Sequence, residues 1–211
     1  MHVPAAFRID DLATLHAQIE RTPLATLVSH DEQGLHASHL PLLLKRQQGE
    51  RGTLHGHFAR ANPQWRSLAA GAPVLLVFQG PQAYVSPSFY PSKAVDHRAV
   101  PTWNYVTVHA HGHAELYDDP ERLRALLASL TRHHEQDRAQ PWSLDDAPAD
   151  YLAGMLRAIV GFSLPIERLE GAWKLSQNHD AANFHGVQQH LASSPAPNEQ
   201  AVAQAMAALS R

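Results

Sequence analysis

The sequence predicts an α+β protein built on antiparallel strands, a small β-barrel with helices packed around it. Three observations point there. About seven to eight strand-like runs follow one another, most of them joined by hairpin-type turns. The longer helical patterns lie at the ends of the chain and in one excursion around residues 119–157, with a short one after Asn62. And 44% of the 211 residues are hydrophobic against 18% charged, enough apolar side chain for a core.

The elements follow in order. Asp10 is placed to cap a short helix carrying Leu12, Leu15 and Ile19 on one side. Two strand-like runs, Leu24 to His30 and Leu35 to Leu44, flank a turn of Asp31-Glu32-Gln33-Gly34. A polar loop from Lys45 to Gly52 leads to a third strand, Thr53 to Phe58. Asn62-Pro63 reads as a helix start, with Asn at the N-cap and Pro first in the helix. That helix runs to about Ala70, and Gly71 suits its left-handed end. Val74 to Gln79 is an apolar strand, Gly80-Pro81 a turn, and Gln82 to Ser86 the return. Pro87 to Ala99 is a loop.

Thr102 to Tyr117 gives the clearest strand pattern. Val106, Val108, Ala110, Ala114 and Leu116 share one face. Trp103, Tyr105, Thr107, His109, His111, His113 and Glu115 share the other. Asp119-Pro120 opens a helix with a leucine stripe, and a second helix covers Ala149 to Leu156. Ile159 to Leu169 is a strand with Pro165 at an edge or bulge, and Trp173 to Gln177 continues the sheet. Helices from Ala181 to Leu191 and Glu199 to Leu209 finish the chain, joined by a linker at Ser193 to Pro197. Residues 1–190 thus read as one domain with a helical insertion at 119–157, and residues 191–211 as a linker and C-terminal helix.

Composition removes several function classes. There is no cysteine, which excludes disulfides, thiol catalysis and cysteine-ligated metal. The formal net charge is −3 and no run of Lys or Arg appears, which weighs against a nucleic-acid groove while leaving direct DNA binding open. No signal-peptide pattern and no apolar run of about 18 residues occurs, so the expectation is a cytoplasmic protein with no membrane partner. Gly-x-Ser-x-Gly, Gly-x-Gly-x-x-Gly and Walker patterns are all missing, which argues against a hydrolase, a Rossmann site and a P-loop.

Four stretches mix aromatics with amides, hydroxyls or a cation: Gly56 to Trp65, Phe78 to Pro81, Val100 to Tyr105, and Trp173 to Asn178. The first ends a strand and starts a helix, where free N–H groups attract phosphate, with His57, Arg60 and Asn62 as further donors. An ordinary capped helix with Trp65 in the core fits the same letters. Trp103, Asn104 and Tyr105 offer a heterocycle a ring face and an amide, or a strand its buried aromatics. Lys174 sits between a Trp and a hydroxyl–amide pair, placed to neutralise a phosphate or to remain a surface lysine. His109, His111 and His113 share a strand face, but spacing places no further ligand with them beyond Glu115 on that face, and no metal site is assigned.

Taken in order, GHFARANPQW, FQGPQAYVSPSFY, VPTWNYVTVHAHG and LEGAWKLSQN resemble the PaiB family, described as FMN-binding negative transcriptional regulators. Ser38 to Leu44 (SHLPLLL) and the run IVGFSLPIERLEGAWKLSQN resemble it too. The likeness covers about residues 1–190, and Ser193 to Arg211 lies outside it. It implies a split β-barrel of the FMN-binding type and a homodimer holding FMN at the subunit interface. By the same likeness Ser38, His39 and Leu40 lie beneath the flavin. His57, Phe58, Arg60 and Asn62 surround its phosphate end. Trp103, Asn104, Tyr105, Lys174, Ser176 and Gln177 approach from the partner or the far side. Ser38, His39 and Pro41 stand where oxidase-type split barrels carry Arg and Lys, so Arg60, Lys174 and the helix terminus are left to meet the phosphate charge. The alternative function is a flavin-dependent oxidoreductase or flavin reductase acting on a small molecule; no catalytic residue is assigned, and His39, His57 and Tyr105 are the candidate acids or bases. A haem- or metal-binding split barrel ranks third.

Overall fold

The computed structural model describes residues 1–209. In chain order the elements are β1 (Arg8–Ile9), α1 (Leu12–Arg21), β2 (Leu24–Asp31), β3 (Gly34–Pro41), β4 (Leu43–Lys45), β5 (Thr53–Ala59) and α2 (Trp65–Ala69). Then come β6 (Pro73–Val85), β7 (Thr102–His113), β8 (Glu115–Tyr117), α3 (Pro120–Glu135) and α4 (Ala149–Arg157). The chain closes with β9 (Ile159–Pro165), β10 (Arg168–Lys174), α5 (Ala181–Ala192) and α6 (Pro197–Ala207). These elements fall into two compact units. The first holds Met1–Leu15, Gln79–Val108 and Glu170 onward; the second holds His16–Phe78 and His109–Leu169.

In the first unit the strand order is β1, β10, β7, β6. β1 pairs antiparallel with β10, Arg8 facing Ala172. Val85, Val106 and Val108 turn inward from the strands, and Phe184, Val187, Leu191, Val202 and Met206 from the two terminal helices; all are nearly fully buried. Asp180 caps α5 by accepting from the Asn183 N–H at 2.8 Å.

The second unit carries two sets of strands. β6, β2 and β3 follow one another in one sheet, with β3 at its edge; β4, β5, β9 and β8 form the other. The β2–β3 hairpin closes in the expected place, Asp31 opposite Gly34, whose φ of 114° suits glycine. β5 and β9 pair over their full length, and Gly56 lies opposite Phe162. Glycine is required there: a Cβ would stand 2.5 Å from Leu42 and 2.9 Å from the Phe162 ring. Phe58 and Phe162 meet at 5.4 Å between ring centroids, and both are fully buried. Burying each such side chain contributes about 1.5–3 kcal/mol. A second core forms under α3 and α4 from Leu123, Leu144, Leu152 and Leu156. Asp119 caps α3, accepting from the Arg122 N–H at 2.8 Å.

Several boundaries differ from the sequence expectation, each for a local reason. The cap of α1 is Asp11, not Asp10: its Oδ2 accepts from the Thr14 N–H at 2.8 Å. The run Leu35 to Leu44 breaks at Leu42, whose N–H turns to the Pro23 carbonyl at 2.9 Å. Gly80-Pro81 does not reverse the chain; β6 passes through it as one strand of 13 residues. β2 pairs with β6 only from Leu75 to Val77, so the amide that Pro81 lacks interrupts no ladder on that side. The helix expected from Asn62 begins at Trp65 and has five residues. Its end is as expected: Gly71, with φ of 83°, and Ala72 donate back to Leu68 and Ser67 at 3.0 and 3.1 Å, a Schellman closure. The run Ile159 to Leu169 is interrupted after Pro165, where the Ile166 and Glu167 N–H groups bond to Gly52 and His111 carbonyls.

Candidate functional site

A concave site lies within the first unit. Alternation along β7 turns Asn104 inward with Val106 and Val108, while Trp103 and Tyr105 face the other way. Asn104 is fully buried, so both halves of its amide need partners. Ser176 supplies them: Asn104 Nδ2 donates to its Oγ at 3.1 Å, and that Oγ donates to Asn104 Oδ1 at 3.2 Å. Ser176 has a φ of 66°, a left-handed conformation that costs a non-glycine residue on the order of 1 kcal/mol or more. Gln177 holds the same turn, its Oε1 accepting from the Leu175 N–H at 2.7 Å and its Nε2 donating to the Trp173 carbonyl at 2.6 Å.

Lys174 ends β10 half-buried. Its Nζ donates to Thr102 Oγ1 at 2.5 Å and to the Trp103 carbonyl at 2.6 Å. Burial pushes its pKa below the ordinary lysine value. On the opposite wall Asn183 Oδ1 accepts from the Ser92 N–H at 3.2 Å, and His179 stacks on Tyr90 at 4.8 Å. Between these groups lies a cavity of about 410 Å³, within the usual range for a small-molecule pocket. Its lining includes two cations, Lys174 and Arg98, with three asparagines, four hydroxyl-bearing residues and no carboxylate.

The other expected residues lie in the second unit, and most are committed to the protein itself. Asn62 Nδ2 donates to Ser38 Oγ at 2.8 Å, and Ser38 Oγ donates to Gln64 Oε1. Gln64 Nε2 is within reach of the Leu27 and His36 carbonyls and of Ser29 Oγ. His39 is exposed and bonded to Thr26 at 3.1 Å, and Leu40 is buried. Arg60 spends its guanidinium on the Arg157 and Ile159 carbonyls at 3.0 and 3.1 Å, with Asp118 at 3.4 Å. Phe58 has no exposed surface to offer a ligand. His57 is its strand neighbour and so points to the opposite face of β5. Its Nδ1 is buried without a hydrogen-bond partner, and burial lowers its pKa. The five-residue α2 is too short to supply the strong dipole expected of a helix at Asn62-Pro63.

Of the thirteen residues singled out in the sequence, the cavity takes Asn104, Lys174 and Ser176. Gln177 supports them from behind, and Trp103 and Tyr105 stand on the other face of β7. Sequence reasoning missed Arg98, Thr102, Tyr90, His179 and Asn183. Thr102 lies inside the Val100 to Tyr105 stretch and Arg98 just before it, so that motif and its flank carried the available signal. Gln64 lies inside the first motif, and nothing in its local sequence marks it as a buried amide.

Comparison with known proteins agrees with this architecture. A family model described as "Putative FMN-binding domain" matches residues 1–168. The "Protease synthase and sporulation protein PAI 2" of Bacillus subtilis (strain 168) is 32% identical over 206 residues, 98% of this chain and 96% of that protein. Among solved structures, the FAD and heme binding protein from Mycobacterium smegmatis has a TM-score of 0.60 at 18% identity, covering 84% of this chain and 78% of that one. The flavocytochrome Anf3 from Azotobacter vinelandii has a TM-score of 0.55 at 17% identity, covering 87% and 78%.

Antiparallel sheets with six helices among the described residues and these likenesses define a split β-barrel fold. The match extends over nearly the whole length of the Bacillus protein. The chain belongs to the PaiB family of FMN-binding proteins, and the cofactor that membership carries is a flavin. The donor set of the first-unit cavity fits such a group. Two cations and no carboxylate suit a phosphate. The exposed Asn178 amide suits the polar edge of a ring system, and Phe7, Tyr90 and Val100 suit its apolar body.

Proposed function

We propose that this protein is a flavin-binding negative regulator of transcription, working as a cytoplasmic homodimer that holds FMN at the subunit interface. The observation that carries the proposal is the first-unit cavity, cationic and free of carboxylate. Lys174 and Asn178 there bind and orient, and they form no acid–base pair. A bound flavin would add redox chemistry, which lets such a regulator respond to the reducing state around it. The same unit leaves an apolar face uncovered. Tyr84 and Trp103 meet edge to face at 6.1 Å, 45% and 53% exposed, and Val100 is 75% exposed. A second copy would cover that face. Support for regulation comes from the Bacillus relative, whose name refers to protease synthesis and sporulation. With a net charge of −3 and no basic stripe, its effect on transcription runs through a partner rather than through tight groove binding.

The test is an FMN titration followed by absorbance and thermal shift, with sedimentation to read the assembly. Expected results are a yellow dimer and a melting temperature that rises with FMN. A colourless monomer indifferent to FMN would overturn the proposal. Steady NAD(P)H turnover by the flavin-loaded protein, with no effect on transcription in cells, would replace it with a flavin reductase.

A further inference from the structure

Arg98 stands out because its surroundings give it no structural task. It lies in the loop between β6 and β7 and lines the first-unit cavity together with Lys174. Its side chain is 89% exposed. Its partner is Asp96, two residues away, which the Arg98 Nε reaches at 2.9 and 3.0 Å. Asp96 is not among the residues lining the cavity. An ion pair this exposed and this local contributes little to stability. A phosphate offers the same guanidinium two charge-assisted, parallel hydrogen bonds and a greater negative charge. Lys174 differs: it is half-buried, fixed by Thr102 and the Trp103 carbonyl, and it is the only other cation in the lining.

We propose that Arg98 and Lys174 form a two-part clamp for a phosphate monoester. Lys174 is its fixed half. Arg98 is its moving half, released from Asp96 when the ligand arrives. The clamp supplies the cation that the β3 residues Ser38, His39 and Pro41 do not. It rests on the flavin reading only for the identity of the ligand; the anion chemistry belongs to the cavity itself.

The experiment compares FMN with riboflavin, which lacks the phosphate, on wild type, Arg98→Ala, Arg98→Lys and Asp96→Asn. Wild type should prefer FMN by about 10-fold or more, the scale of one charge-assisted pair. Arg98→Ala should lower FMN affinity about 10-fold and leave riboflavin affinity unchanged, Arg98→Lys should recover part of the loss, and Asp96→Asn should raise FMN affinity. An FMN-to-riboflavin ratio unchanged in Arg98→Ala would overturn the clamp. If neither flavin binds wild type, the flavin reading fails by itself, and inorganic pyrophosphate becomes the probe. A thermal shift present in wild type and lost in Arg98→Ala then supports the clamp; no shift in wild type, or an equal one in both, overturns it.

Discussion

The Asn104 pocket and the Gln64 network are made of nearly the same chemistry and do opposite things. Both gather amides and hydroxyls at the end of a strand. Around Gln64 every group faces another: Asn62 meets Ser38, Ser38 meets Gln64, and Gln64 ties β2 and β3 to the turn before α2. Around Asn104 the amides of Asn104 and Asn183 are satisfied this way, while Asn178 and two cations front a void. A polar cluster becomes a binding site when its hydrogen-bonding capacity exceeds what the fold consumes. Residue types alone do not reveal that surplus.

That contrast can be broken at four points. The largest effect is expected from Phe58→Ala, which opens the second-unit core and should cost about 3–5 kcal/mol in denaturant unfolding. FMN affinity of the folded fraction should not change; a parallel loss would return Phe58 to the site. Gln64→Leu comes next, at about 2–3 kcal/mol, because it removes the acceptor for the Ser38 hydroxyl and the buried amide donor shared by Ser29 and two backbone carbonyls. It too should leave FMN affinity alone, and weakened binding would show that the network serves the ligand after all.

Lys174→Met should show the reverse pattern. FMN affinity is expected to drop about 10-fold, roughly 1.4 kcal/mol, with little change in melting temperature. Since burial depresses the pKa of Lys174, wild-type FMN affinity should also decline on the alkaline side before an ordinary lysine would titrate. A flat alkaline profile removes Lys174 from the phosphate.

The smallest effect concerns acid. Burial lowers the pKa of His57, so the unfolded chain takes up that proton first. The stability linked to it is complete above about pH 6.5, the ordinary histidine value, and is lost as pH falls from there through the folded-state value. Melting curves of His57→Gln should therefore slope less steeply below pH 6.5 than those of wild type. Identical slopes would assign the acid sensitivity to another group.

What could be read from the letters follows the range of the signal. The β2–β3 hairpin, the Asp119 cap of α3 and the Gly71 end of α2 are decided within a few residues, and they stand where expected. Gly80-Pro81 carries an equally strong local signal, yet β6 runs through it, because tertiary pairing decides whether a turn signal is used. The site follows the same rule. Val100 to Tyr105 and Trp173 to Asn178 do meet through Asn104, Ser176 and Lys174. Arg60 was expected at a phosphate, but carbonyls 97 and 99 positions along the chain hold it, and no spacing rule foretells that.

Gly56 bears on folding fidelity as well as packing. Its missing side chain makes room for Leu42 and Phe162, and its neighbours two positions away on the same face are the bulky Leu54 and Phe58. A two-residue slip of β5 against β9 keeps the apolar face inward but drives Leu54 or Phe58 into Phe162. A one-residue slip buries His55 or His57 there instead. Both misalignments are excluded by collision or by desolvation, so one glycine acts as a register lock that narrows the routes by which the chain can misfold.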